Sequence, residues 1–154
     1  MDNSFGAAQS SGELRSEEKI LGLFAHLSLF LGGIVIPIIF WATQKDKSKF
    51  VTFHSLQALW FHLIYIVFII AFVLVMVIGG LGFGFISAGT MGKHIGLGPG
   101  FAIIMIIFYA VLFIIIFGVI AYAIYMGIKA YHGGLNKYPI IGNIIYKKVY
   151  GNVR

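Results

Sequence analysis

Three histidines, a glutamine and a tyrosine interrupt otherwise apolar stretches of this chain: His26, His54, Gln57, His62 and Tyr65. At about 100° per residue, His54, Gln57, Phe61, His62 and Tyr65 fall in one sector of a helix and form a polar stripe. An imidazole can relay a proton or ligate a metal, and an ionisable group within an apolar segment is a functional candidate by default. The chemistry on offer is proton conduction, metal binding or the lining of a polar cavity. The competing reading is hydrogen bonding between helices. It carries more weight, because no Asp or Glu lies in any apolar run and histidine is the ionisable group most cheaply buried neutral. His54 and His62 stand eight residues apart, over two turns, so they cannot chelate one ion without His26 or another chain. We therefore expect no metal site and no cofactor. Cysteine is absent, which excludes disulfides and thiolate chemistry. With no nucleophile beside a base and no paired carboxylates, an enzyme is not expected.

The elements that must position these residues are three apolar runs, Ile20–Thr43, Ala58–Ile78 and Phe101–Ile128, none containing Asp, Glu, Lys or Arg. Each exceeds or matches the roughly 20 helical residues that cross a hydrocarbon layer of about 30 Å. Hydrophobic residues make up 60% of the 154-residue chain and charged residues 10%, too apolar a balance for a soluble surface. The expected fold is all-α: an integral membrane helical bundle with three transmembrane helices at about 20–43, 52–78 and 101–131. A short interfacial C-terminal segment follows. Residues 1–16 read as a disordered polar tail and 17–154 as one membrane domain.

Local signals refine this picture. Ser16 is a fair N-cap for the first helix, with Lys19 where a capping box wants Glu. Small residues Gly22 and Gly33 share a face with His26 and would admit a neighbouring helix. Pro37 removes a backbone bond and frees a carbonyl near Gly33. Ser48 is placed to cap the second span, from which His54 and Gln57 would bond across to the first or third helix. Residues 79–100 hold nine glycines in 22 positions and are expected to form an outer interfacial loop. Neither a phosphate-binding motif nor any carboxylate occurs there. Ala123 and Gly127 form a small-xxx-small pair on the third span, which Gly133-Gly134 should end. His94 and His132 lie in loops and read as bland. Beyond them Ile140, Ile141, Ile144 and Ile145 recur at near-helical spacing before Lys147-Lys148, as in a cationic segment lying on a membrane surface.

Counting Lys and Arg by side sets an expected orientation for three crossings. Arg15, Lys19 and Lys93 would share one side. Lys45, Lys47, Lys49, Lys129, Lys137, Lys147, Lys148 and Arg154 would share the other. That excess places the first loop and C-terminus in the cytoplasm and the N-terminus outside, in a multi-pass cell-membrane protein. The net charge of +6 then serves anionic headgroups rather than nucleic acid.

Three stretches carry a resemblance: Ala25-His26-Leu27-Ser28, the run Lys45–Leu59 (KDKSKFVTFHSLQAL), and Lys129-Ala130-Tyr131-His132-Gly133-Gly134 leading to Tyr138-Pro139. Over roughly Glu17–Val149 the chain resembles a bacterial and archaeal family of small three-span membrane proteins that includes the magnetosome proteins MamF and MmsF. That family has been likened in fold to the multispan subunit of the chloroplast inner-envelope import translocon. The resemblance implies a shared surface around His26, Ser48, Phe50, His54, Gln57, Ala58, Tyr138 and Pro139, and brings no catalytic residues with it. The function expected is a non-enzymatic interaction or assembly module, self-associating or bound to another membrane protein. The alternative is an oligomeric channel or transporter component with a His/Gln-lined polar path.

Overall fold

The computed structural model describes residues 13–90 and 99–151. Among them every element is helical: α1 (Ser16–Leu31), α2 (Val35–Gln44), α3 (Lys49–Thr90), α4 (Pro99–Tyr131) and α5 (Ile141–Tyr150). The all-α expectation holds. The tail over 1–12 and residues 91–98, with His94, lie outside the described residues. Two helical stretches, Lys49–Gly84 and Gly100–Tyr131, are long and apolar enough to cross a membrane.

The first apolar run departs from expectation. It is not one span but two short helices, broken at Gly32–Ile34 and folded back on each other. Gly33 takes φ +54, and the Ser28 carbonyl accepts the amides of both Gly32 (3.0 Å) and Gly33 (2.7 Å). Pro37, in the first turn of α2, has no amide to donate to Gly33, so the ladder cannot pass through this point. The hairpin brings its ends together. Phe40 of α2 and Leu14 and Leu21 at the start of α1 pack on one cluster of Phe50, Val51 and Ala130. A cleft of about 690 Å³ is lined by Arg15 and Glu18 from one end, Lys45 and Lys47 from the other, and Tyr150. The structure thus brings the N-terminal segment and the Gln44–Lys49 loop, expected on opposite sides, to one cleft.

Two further boundaries move. The N-cap of α1 is Arg15, not Ser16; this puts Glu18 at the third helical position, where its carboxylate accepts the Arg15 amide at 2.9 Å. α3 continues as helix through Gly79–Thr90, where a loop was expected. Glycine weakens a helix in water, but a helix satisfies its own backbone, which an apolar medium demands.

The chain forms two compact units. The unit of residues 63–122 holds the C-terminal part of α3 and the N-terminal part of α4, an antiparallel pair in which Phe72 meets Phe108 and Phe83 stacks on Phe101. Outward they expose Val67, Ile78, Ile106 and Ile114, a surface suited to lipid. Residues 1–62 with 123–154 make the other unit. Here α1 approaches its neighbours closely: a Cβ on Gly22 would stand 3.0 Å from the Phe50 ring and 3.3 Å from Ala130 Cβ. One on Gly127 would stand 3.0 Å from Leu23 Cδ1, and Ala123 is fully buried. The expected small-residue contacts are thus present at Gly22, Ala123 and Gly127 but not at Gly33, which lies in the break and where a Cβ would meet nothing within 4 Å. α5 lays Ile145 against Phe53 and Leu56.

Tyr150 closes this unit beside the cleft, and burial, then Tyr146, then Glu18, push its hydroxyl up to about 12. A raised acid favours the folded form below the unfolded value near 10 and loses that contribution as pH climbs through about 12. We expect α5 to loosen in that window, with phenolate absorbance showing a late-titrating group absent from Tyr150→Phe. A Tyr150 that titrates with the exposed tyrosines would refute the packing.

Candidate functional site: a buried histidine, tyrosine and glutamine node

The sequence after α4 decides where the node forms. Gly133, at φ +78, ends the helix: its amide donates to Ala130 O (2.8 Å) and the Gly134 amide to Lys129 O (2.9 Å), the paired bonds of a Schellman cap. The chain then runs across the face of α3 to Tyr138 and Pro139. It turns at Ile140, where φ is 66 and ψ −65, while the Ile141 amide donates to Pro139 O at 2.7 Å. A β-branched residue there costs about 1–3 kcal/mol. The turn seats Gly142 where any Cβ would stand 2.8 Å from both Gln57 Oε1 and Lys137 Cα.

Into this corner α3 projects His54 and Gln57, and α1 projects His26; all three are fully buried. Gln57 acts as a peptide surrogate, its Nε2 donating to Asn136 O (3.0 Å) and its Oε1 accepting the Tyr138 amide (2.8 Å). His54 Nε2 faces Gly134 O at 3.1 Å, and a carbonyl can only accept, so Nε2 carries hydrogen. With the rings neutral, the rest follows. His54 Nδ1 is the acceptor for His26 Nε2–H at 3.0 Å, and His26 Nδ1 accepts the Tyr138 hydroxyl at 3.1 Å. One carbonyl thereby sets the polarity of a three-bond chain. Phe61 stacks on Tyr138 with ring centroids 4.4 Å apart, and Phe50 packs on His54 at 4.5 Å.

The other candidates are placed apart. Ser48 Oγ accepts the Val51 amide at 3.2 Å, the N-cap of α3. His62 donates from Nδ1 to Gly33 O at 3.1 Å, the carbonyl that Pro37 leaves without an amide. Its Nε2 is buried and has no hydrogen-bond partner among the described residues. Tyr65 is half-buried in the unit of residues 63–122. Pro139 is exposed and contributes only its carbonyl. Among the described residues no group of three or more His, Cys, Asp or Glu is placed to hold a metal. Sequence reasoning missed the acceptors Gly134 and Asn136, which are backbone atoms, and Gly142, whose small size shows its purpose only against Gln57.

Residues 17–145 match the magnetosome magnetite crystal formation protein family, MamF_MmsF. The chain belongs to this family. No curated protein and no solved structure matches it. The matched stretch holds every residue of the node, and family and helices together identify a membrane protein.

The tautomers are directly testable. Nitrogen-15 spectra of imidazole-labelled protein should show hydrogen on Nε2 of His26 and His54 but on Nδ1 of His62. His54→Ala strands Gly134 O and His26 N–H and should cost about 2–4 kcal/mol, read as a lower melting point in detergent. Hydrogen on Nδ1 of His54 would break the proposed polarity.

Proposed function

We propose that this protein is a non-enzymatic assembly module of its membrane, and that its polar residues build structure rather than a path. The observation that carries this reading is closure of the node. Both ring nitrogens of His26 and His54 and both polar ends of Gln57 are engaged by protein groups. A conducting stripe would need those atoms free for water or cargo. The channel reading keeps one observation in its favour, the unpartnered Nε2 of His62, and three or four helices from one chain would still have to oligomerise around a pore.

The orientation belongs to the same proposal. With the α1–α2 hairpin turning back, only Lys49–Gly84 and Gly100–Tyr131 cross, so both termini share the cytoplasmic side. Ten of the 11 Lys and Arg then lie there, leaving Lys93 alone opposite. All five acids lie there too, so the far side offers no side-chain carboxylate to iron or mineral. For this family member we place the contribution to crystal formation in the membrane and its assemblies, acting on lipid and on self-association or a second membrane protein.

Because the chain has no cysteine, single-cysteine variants report orientation cleanly. Glu13→Cys, Asp46→Cys and Lys148→Cys should react with an impermeant thiol reagent from one side and Lys93→Cys from the other. Glu13→Cys reacting opposite Asp46→Cys would restore three crossings. Separately, purified protein in liposomes should be electrically and osmotically silent. Reproducible conductance that vanishes in the His54→Ala, His62→Ala double variant would overturn the assembly reading.

A further inference from the structure

The α1–α2 hairpin has the dimensions of one leaflet. Its apolar arms, Ile20–Leu31 and Val35–Thr43, rise about 18 Å and about 14 Å at about 1.5 Å per residue. A hydrocarbon core is about 30 Å thick, so neither arm can cross and both reach about the midplane. The open end is charged, with Arg15, Glu18 and Lys19 on one arm and Lys45, Asp46 and Lys47 just past the other. The tip is the most apolar and exposed part: Phe30, Leu31 and Val35 are 52%, 66% and 57% accessible.

Irregular backbone at such depth is tolerated only where its polar groups are satisfied. Here three carbonyls at the tip are engaged. Ser28 O takes two amides, Gly32 O takes the Val35 amide, and the Gly33 carbonyl freed by Pro37 takes His62 Nδ1–H. At the open end α5 adds a shallow element. Ile140 and Ile144, 85% and 64% exposed, share an outward face with Lys147 and Lys148. That is the pattern of a helix whose apolar side enters the acyl boundary while its lysines meet anionic headgroups.

Taken together, the geometry points to a one-leaflet wedge: the hairpin seats in the acyl chains of the cytoplasmic leaflet, expands that leaflet alone, and favours anionic membranes convex toward the cytoplasm. The inference rests on the cytoplasmic placement of both hairpin ends proposed above. Helices that cross add area to both leaflets and create no such asymmetry. The hairpin and α5 add it to one. The occupant of the exposed tip is therefore lipid: Phe24, Phe30 and Leu31 on one arm and Val35, Ile38 and Ile39 on the other stay exposed, while the face with Gly22 and His26 packs on the protein.

The test uses the full chain in vesicles of phosphatidylcholine and phosphatidylglycerol, with the C-terminus facing outward. A fluorophore on Leu31→Cys should be quenched most by lipids brominated near the acyl-chain end, and the thiol should resist impermeant reagent from either side. On narrow tubules drawn outward from giant vesicles, wild-type protein should be denser than on the flat reservoir. The Phe30→Ser, Leu31→Ser, Val35→Ser variant should lose that enrichment while keeping its melting point. Three results would each overturn the wedge: Leu31→Cys reacting from the far side, Leu31→Cys cross-linking to a second copy without lipid quenching, or equal wild-type density on tubule and reservoir. If Glu13→Cys and Asp46→Cys react from one side and yet tubule enrichment is absent, the hairpin orientation stands and the wedge alone falls.

Discussion

A backbone carbonyl inside an apolar layer has to receive a hydrogen bond, and α3 supplies one at each place where this fold breaks a helix. The break between α1 and α2 exposes Gly33 O, and His62 donates to it. The chain leaving α4 exposes Gly134 O and Asn136 O, and His54 and Gln57 donate to them. Each carbonyl left bare would cost about 1–3 kcal/mol. The polar stripe of α3 is in this sense the complement of two interruptions elsewhere in the chain. Without it the turn between α1 and α2 would leave Gly33 O bare, and the C-terminal segment would lose its bonds to α3.

The same constraint explains why the node is neutral in design. Its donors and acceptors are matched in number, and the one obligatory acceptor, Gly134 O, propagates a single orientation through His54 and His26 to Tyr138. A carboxylate is not needed to fix a tautomer when a carbonyl does it. The absence of acids from the apolar runs and the presence of three histidines are then two sides of one arrangement. Histidine offers a donor and an acceptor on one rigid ring, which lets it both satisfy a carbonyl and continue a chain of bonds. Glutamine, presenting the same pair of groups as a peptide, can stand in for a neighbouring strand, and it does so between Asn136 and Tyr138.

Much of this was legible from local chemistry. Apolar runs free of charge imply helices in lipid. Pro37 pointed to a bare carbonyl near Gly33, and Gly133-Gly134 to the end of α4. Ser48 stood where an N-cap belongs. What could not be read was the direction of the chain after an interruption. The run Ile20–Thr43 is long enough to cross, and counting its residues cannot reveal that Gly32–Ile34 reverses it. The side assigned to Arg15 and Lys19 rests on the same reading, since a lysine count presupposes the number of crossings. Helix through Gly79–Thr90 was hidden for a different reason: glycine propensities measured in water overstate its cost where no water competes for the backbone. The acceptors of the node are main-chain atoms, which no residue type announces.

The hairpin also removes a tension in the charge pattern. Three crossings put Arg15 and Lys19 across the membrane from the other basic residues, in a segment rich in acids that would have to be translocated. Folding α1 back against α2 sets Arg15 and Glu18 beside Lys45 and Lys47, where opposite charges share a wet cleft and none needs to cross. Electrostatics and backbone satisfaction then both favour the proposed two-crossing topology. In that proposal the first holds both ends of the hairpin in water on one side, and the second lets its tip rest in lipid because His62 of α3 donates to Gly33 O. On the proposed orientation, a hairpin with either condition missing would be expelled to the surface or driven on to span, so the contact of His62 with Gly33 would limit how deep the first third of this chain can sit.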